Sequence, residues 1–314
     1  MKKRSLKIIL LVLYMPLAVL LLLSLLAPYF NPAQWPFVAV SGLFFPVLWI
    51  LNIFFLVVFI LLRSKGWFFG LLFLLAGLYQ VSLVFGMNGD DRENITGKTL
   101  KLLSYNTGNA DSPDPFAIRR HVFEQKAFYR ADVICLQEFI PGHARGSESL
   151  QRFEYHINVD FTGKTGSRAN GLSIYSKFPI LEQGFLKPED EDVFALWVSL
   201  DLGTDTLLLI NVQLQSIRLE DEEVEVVARP WRVPELFAIA GNVYRKFLGD
   251  AFLEQESGFG FTYAGPLPFL RIDFVMASEG LEVVSFERIG ETFSDHFGLE
   301  AEFVFHRWPQ ILFV

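Results

Sequence analysis

Seven polar positions close or follow apolar, strand-like runs in this chain: Asn106, Glu138, Asn211 with Gln213, Asp273, and the adjacent Asp295 and His296. An aspartate beside a histidine can hold the imidazole in one tautomer, and a second aspartate next to it can face a metal or the same ring. Cleavage of a phosphate ester needs such groups near its leaving group. Taken singly, each residue is equally at home elsewhere: Asn106 as a turn former, Glu138 as an exposed rim charge, Asp273 as an ion-pair partner of Arg271, and Asp295-His296 as a solvated turn. Rigid strands whose ends meet at one rim would gather the whole set into a single pocket.

Apolar and β-favouring runs at 99–105, 131–136, 171–175, 193–200, 207–212, 271–277, 281–286 and 299–305 predict strands. The spacing of Phe116, Ile118, Val122, Phe123 and Phe128 predicts a helix over 115–130. Many short strands with few helices between them predict an α/β domain over 99–314, with two mixed β-sheets packed face to face as a four-layer α/β sandwich. Cys135 is the only cysteine, which excludes an internal disulfide, and its apolar run favours a buried strand residue over a nucleophile.

The amino-terminal part has a different composition. Residues 1–87 contain no Asp, Glu or His, and their only charges are Lys2, Lys3, Arg4, Lys7, Arg63 and Lys65. Nearly unbroken apolar runs at about 8–26, 37–62 and 67–85 predict a membrane domain of three transmembrane helices, with Pro46 kinking the second. The basic tail and the Arg63-Lys65 turn fall on the cytoplasmic side, so the soluble domain, joined by a linker at 88–98, is expected on the outer side of the bilayer. Removing those six cations from the chain's 27 leaves 21 against 35 acidic residues, a formal charge of −14 for 88–314. That balance argues against bulk nucleic-acid binding, which depends on cations neutralising phosphates.

The ordered segments LKLLSYN (100–106), DVICLQE (132–138), GLSIYSKFPI (171–180), INVQLQS (210–216), GFGFTY (258–263), RIDF (271–274) and SDH (294–296) resemble the endonuclease/exonuclease/phosphatase superfamily, in its membrane-anchored variety. The resemblance spans nearly all of the soluble part. It implies that Glu138 binds metal, with Asn106 and Asp295 assisting there. It also implies that His296 sits beside the scissile phosphate and is oriented by Asp273, and that Asn106, Asn211, Gln213 and Asn242 contact the phosphate. The reaction implied is hydrolysis of a phosphate ester by water, with Mg2+ or Mn2+ as Lewis acid held by oxygen ligands.

Two departures stand against that pattern. Gln213 replaces a phosphate-facing histidine and cannot carry charge. The family's Gly-Asp-Phe-Asn segment, whose aspartate activates water, is missing; residues 238–242 resemble its end without the acid, and Gly249-Asp250 offers a poorly fitting substitute. Three functions are therefore open: a membrane-anchored metal-dependent phosphoesterase acting on a phosphate-ester small molecule or a phospholipid headgroup, a catalytically inactive relative that binds a ligand or partner, and a scaffold. Retention of Asn106, Glu138, Asp273, Asp295 and His296 makes the scaffold the least attractive.

Overall fold

In the computed structural model, the described residues are 3–30, 34–88, 98–108, 122–139, 147–160, 171–186, 194–203, 205–213, 248–289, 294–306 and 310–314. They belong to two compact units, one within 1–84 and one comprising 85–214 and 245–314.

The first unit is helical: α1 (Lys3–Leu26), α2 (Pro36–Leu43), α3 (Phe45–Leu61) and α4 (Trp67–Ser82). A polar clip crosses three of them inside the bundle. The Tyr14 hydroxyl donates to Asn52 Oδ1 at 2.7 Å, and Asn52 Nδ2 donates to the Gly70 carbonyl at 3.0 Å. Gly70 and Gly77 let α4 lie close to α3, since an added Cβ would come within 3.0 Å of Leu56 and 2.5 Å of Trp49.

The three expected spans are only partly realised. Among the described residues, Arg4–Tyr29 is the one unbroken helix long and apolar enough to cross a membrane, with mean hydropathy 2.9, and the bent pair α2–α3 passes the same test only if taken as one span. The second run is broken by a 71° bend between α2 and α3. Pro46 explains it: proline donates no hydrogen bond to the preceding turn, and its ring crowds the carbonyl four residues back. Helix α4, at 16 residues, falls short of the usual spanning length of about 20.

The second unit contains β1 (Gly86–Met87), β2 (Thr99–Asn106), β3 (Val133–Gln137), β4 (Tyr155–Asp160), β5 (Gly171–Ser176), β6 (Ile180–Leu186), β7 (Phe194–Asp201), β8 (Thr206–Gln213), β9 (Leu248–Asp250), β10 (Ser257–Gly258), β11 (Met276–Ser278), β12 (Leu281–Arg288), β13 (Leu299–Phe305) and β14 (Gln310–Phe313). Two six-stranded mixed sheets result, in the orders β6-β7-β8-β14-β11-β9 and β12-β13-β2-β3-β5-β4. Among the described residues, only the β8–β14 and β2–β3 pairings are parallel.

The alternation along β2 shows why the sheets pack. Leu100 and Leu102 enter the core shared with Leu196, Val198, Leu207 and Leu209 of the other sheet. Leu103 and Tyr105 enter a second cluster with Phe123, Phe128, Phe139 and Phe153 on the opposite face. The second sheet is thus buried on both sides, as its almost continuous apolar runs require. Cys135 is fully buried in the shared core, and burial pushes its thiol pKa upward.

Of the helix expected over 115–130, only Lys126–Arg130 is helical among the described residues. Residues 271–275 do not form the expected strand, which is confined to Met276–Ser278. The amides of Ile272 and Asp273 donate instead to Thr262 Oγ1, at 2.9 and 3.0 Å, so they are spent on a side chain rather than on a ladder. Strands β4, β6, β9 and β14 were not anticipated.

At one end of the sheet interface the core turns polar. Asn211, fully buried, donates through Nδ2 to the carbonyls of Leu136 and Ser173 at 3.0 and 3.1 Å, and its Oδ1 accepts from Gln137 Nε2 at 2.7 Å. Gln137 also donates to Ser104 Oγ at 3.2 Å. Asn211→Ala strands two backbone carbonyls and an amide inside the interface. It is expected to cost about 2–4 kcal/mol, measured as urea unfolding followed by near-ultraviolet circular dichroism.

Candidate active site

Three loops beside this polar end carry the candidate residues. The first follows β2. Asn106 Oδ1 accepts from the Gly108 amide at 3.0 Å, closing a tight turn in which Gly108 adopts φ +50°. A Cβ on Gly108 would lie 2.5 Å from Ser294 Oγ and 2.9 Å from Asp295 Oδ1, so only glycine lets the turn rest against the Ser294–Asp295 loop.

The second loop follows β3. Glu138 has φ +51°, in the left-handed region that costs a residue with a side chain. Thr107 secures this bend: its amide donates to the Gln137 carbonyl at 2.9 Å and its hydroxyl to the Glu138 carbonyl at 2.8 Å. The Glu138 carboxylate in turn accepts at Oε1 from Gln213 Nε2 at 3.0 Å and from Asn106 Nδ2 at 3.4 Å.

The third assembly joins residues 257–263, 270–275 and 294–298. Thr262 holds two of its parts together, because its hydroxyl accepts from the amides of Ile272 and Asp273 while its carbonyl accepts from the Phe297 amide at 2.9 Å. The Ala264 amide donates to the Asp295 carbonyl at 2.7 Å. His296 Nδ1 consequently meets Asp273 Oδ1 and Oδ2 at 2.9 and 3.1 Å, with Nε2 3.8 Å from Asp295 Oδ1. His296 and Asp273 side chains are 15% and 17% exposed, against 53% for Asp295.

Burial alone would lower the imidazole pKa, but the charge and hydrogen bond of Asp273, with the charges of Asp295 and Glu138, outweigh it and raise His296 to about 9. At neutral pH the ring is therefore an imidazolium.

Asp273, Asp295 and His296 thus stand together as the sequence leads one to expect, and Asn106, Glu138 and Gln213 form a second group. Asn211 is placed differently: it has no exposed surface, and both its amide hydrogens are committed to carbonyls, so it joins the sheets instead of contacting phosphate. Asn242 and residues 238–242 lie outside the described residues. The substitute aspartate is taken. Asp250 forms a two-bond pair with Arg271, Oδ2 to Nη1 at 2.8 Å and Oδ1 to Nη2 at 2.5 Å, and caps the Ala251–Gln255 helix through the Phe252 amide. The Arg271 guanidinium lies between the rings of Phe252 and Phe274, at 4.6 and 4.5 Å.

Gln137, Thr107 and Thr262 were not foreseen. Gln137 had one available signal: it shares the inward face of β3 with Val133 and Cys135, where a polar residue must find a buried partner.

Mg2+ suits the donors present. Among the described residues no three His, Cys, Asp or Glu side chains cluster as metal ligands. Mg2+, however, commonly takes only one or two protein carboxylates and keeps several waters. Gln213 Oε1 is buried with no hydrogen-bond partner among the described residues, which leaves an oxygen donor unsatisfied beside the Glu138 carboxylate. Glu138, Asp295 and the amide oxygens of Asn106 and Gln213 are all hard oxygen donors.

Residues 103–229 match the family described as Endonuclease/Exonuclease/phosphatase family, and residues 7–83 match one described as Domain of unknown function (DUF8431). No curated protein matches the chain. Among solved structures, truncated TDP2 from Caenorhabditis elegans aligns with a TM-score of 0.51 at 16% identity, covering 68% of this chain and 100% of that one. An endonuclease/exonuclease/phosphatase family protein from Bacteroides thetaiotaomicron aligns at 0.47 with 17% identity, covering 68% and 100%. At 16% identity the likeness to the TDP2 structure concerns the fold alone. Residues 103–229 are thus similar to the endonuclease/exonuclease/phosphatase family, a phosphoesterase-type fold whose members generally use divalent metals.

His296 generates a pH dependence. Its folded pKa of about 9 lies above the ordinary 6.5, so its contribution to stability is complete below pH 6.5 and is lost as pH rises through 9. The melting temperature of the metal-free protein is expected to fall between pH 7 and 9.5, and the His296→Gln variant to show a flatter profile over that range.

Proposed function

We propose that the protein is a membrane-anchored, divalent-metal-dependent phosphoesterase that hydrolyses a phosphodiester or phosphomonoester, with a phospholipid headgroup or a phosphate-ester small molecule as substrate. The observation that supports it most is the pairing of His296 with Asp273 in an assembly whose loop also presents Asp295 against the Asn106–Gly108 turn. In this reading the His296 imidazolium, steadied at Nδ1 by Asp273, presents Nε2–H to a phosphoryl oxygen and stabilises charge as it builds there. Mg2+ or Mn2+ held by Glu138, Asp295 and Asn106 would supply Lewis acidity when bound. Gln213 orients the Glu138 carboxylate and adds a neutral contact for phosphate.

The full chain in lipid nanodiscs with Mg2+ or Mn2+ is expected to hydrolyse a generic phosphodiester such as bis(4-nitrophenyl) phosphate. Glu138→Ala and His296→Ala should each lower the rate about 10²-fold or more. Equal rates in wild type and both variants would sink the enzyme reading.

A second reading is an inactive relative that binds a phosphate-bearing ligand. The engagement of Asp250 with Arg271 favours it, since the available Gly-Asp pair is held away from the reaction. Thermal stabilisation by Mg2+ with inorganic phosphate, without turnover, would support that alternative.

The membrane placement also belongs to this proposal. Helix α1 leaves Ile8, Val12, Leu13, Met15 and Val19 exposed, an apolar surface that lipid accommodates and water does not. Counting the bent pair α2–α3 and the short α4 as crossings beside α1, the proposal places residues 88–314 on the outer side. Protease added to intact cells should then cut it, and full protection would reverse the orientation.

A further inference from the structure

We propose that Phe85, Gly86 and Asn88, which follow the end of α4 after two intervening residues, are positioning residues for the His296–Asp273 pair: they hold the loop that holds both partners. The kinetic part of this inference rests on the phosphoesterase reading; its structural part does not.

The contacts run in sequence from the strap to the site. Strand β1 pairs antiparallel with β10, Gly86 opposite Gly258 and Met87 opposite Ser257. Asn88 extends the join, its Nδ2 donating to the carbonyls of Leu253 and Glu254 at 3.1 and 2.8 Å. The Phe85 ring meets Phe259 edge-on at 4.9 Å, and Phe259 stacks on Phe261 at 5.4 Å with planes 7° apart. Thr262 follows directly, carrying the bonds to Ile272, Asp273 and Phe297 described above.

The loop needs such external support. Gly258 and Gly260 both take left-handed conformations, with φ of +95° and +59°. Glycines are the residues with most backbone freedom to lose on ordering. Two strand pairs, two side-chain amide bonds and a ring contact from one short segment offset that loss. The fit is also close: a Cβ on Gly86 would stand 2.1 Å from the Glu256 carbonyl oxygen, a backbone atom that a small side-chain shift cannot relieve.

Phe85, Gly86 and Asn88 reach the His296–Asp273 pair only through the 257–262 loop, so the expected signature is impaired positioning with intact binding. In the full chain in nanodiscs, Gly86→Val forces β1 off β10, and Asn88→Ala removes two bonds without a clash, serving as the milder variant should the first fail to fold. Phe85→Ala removes the ring contact and Phe85→Tyr restores it.

Hydrogen–deuterium exchange is expected to quicken about tenfold in 257–264, 270–274 and 294–298 in Gly86→Val, and less in Asn88→Ala, with β2, β3, β7 and β8 unchanged. Hydrolysis of the phosphodiester should lose about tenfold in kcat with KM within about twofold, and Phe85→Tyr should recover what Phe85→Ala loses. Exchange changes confined to 85–88 and 256–258, or a kcat equal to wild type, would overturn the inference. If wild type is no faster than Glu138→Ala, the hydrolase reading fails, and the exchange pattern alone decides the strap.

Discussion

One buried amide, that of Asn211, ties the two sheets together where their strand ends meet the site. Buried polar groups must be paired, and a network with every member satisfied becomes rigid because no alternative arrangement keeps its bonds. Asn211 reaches backbone carbonyls of β3 and β5 and the side chain of Gln137, fixing β8 against the second sheet in register and in depth. Gln213 lies two residues further along the same strand, on the same face, and Glu138 follows Gln137 directly. The hydrogen bond between Gln213 and Glu138 therefore spans two sheets whose separation Asn211 has already set. An apolar residue at 211 could fill the space but would leave that separation to non-directional packing.

Around this frame the electrostatics are unbalanced. Three carboxylates, from Glu138, Asp273 and Asp295, bear on one imidazole, and residues 88–314 carry a formal charge of −14. The amides of Asn106 and Gln213 donate to Glu138 but bring no charge. In the proposed function a divalent cation would supply the positive charge that these side chains lack, and clustered carboxylates attract such a cation. The orphaned oxygen of Gln213 fits the same account, since a cation satisfies an oxygen that no described donor reaches.

The strands that build the frame were readable because each buries at least one face. Runs such as 207–212 and 299–305 agree with β8 and β13 to within a residue at each end. Strand β6 escaped notice because it is an edge, with Leu181, Glu182 and Gln183 all exposed and no alternation to betray it. Strands β9 and β14, at three and four residues, are too short for any period to show. The RIDF segment misled for a different reason: its composition suits a strand, but Thr262, some ten residues earlier, captures its amides. The chemistry-bearing residues themselves were legible by type and order, whereas those that aim them, Thr107, Gln137 and Thr262, act through partners that spacing cannot pair. Asp250 shows the converse, a carboxylate with a suggestive neighbour that the fold spends on Arg271.

The left-handed backbone of Glu138 has an evolutionary consequence. A residue with a side chain pays about 1 kcal/mol or more to sit there, and glycine or asparagine would sit there more easily. Drift under selection for folding alone would thus be drawn toward replacing Glu138, each such exchange lowering the free energy of the native chain. The glutamate at this bend is therefore a residue that folding alone does not favour there.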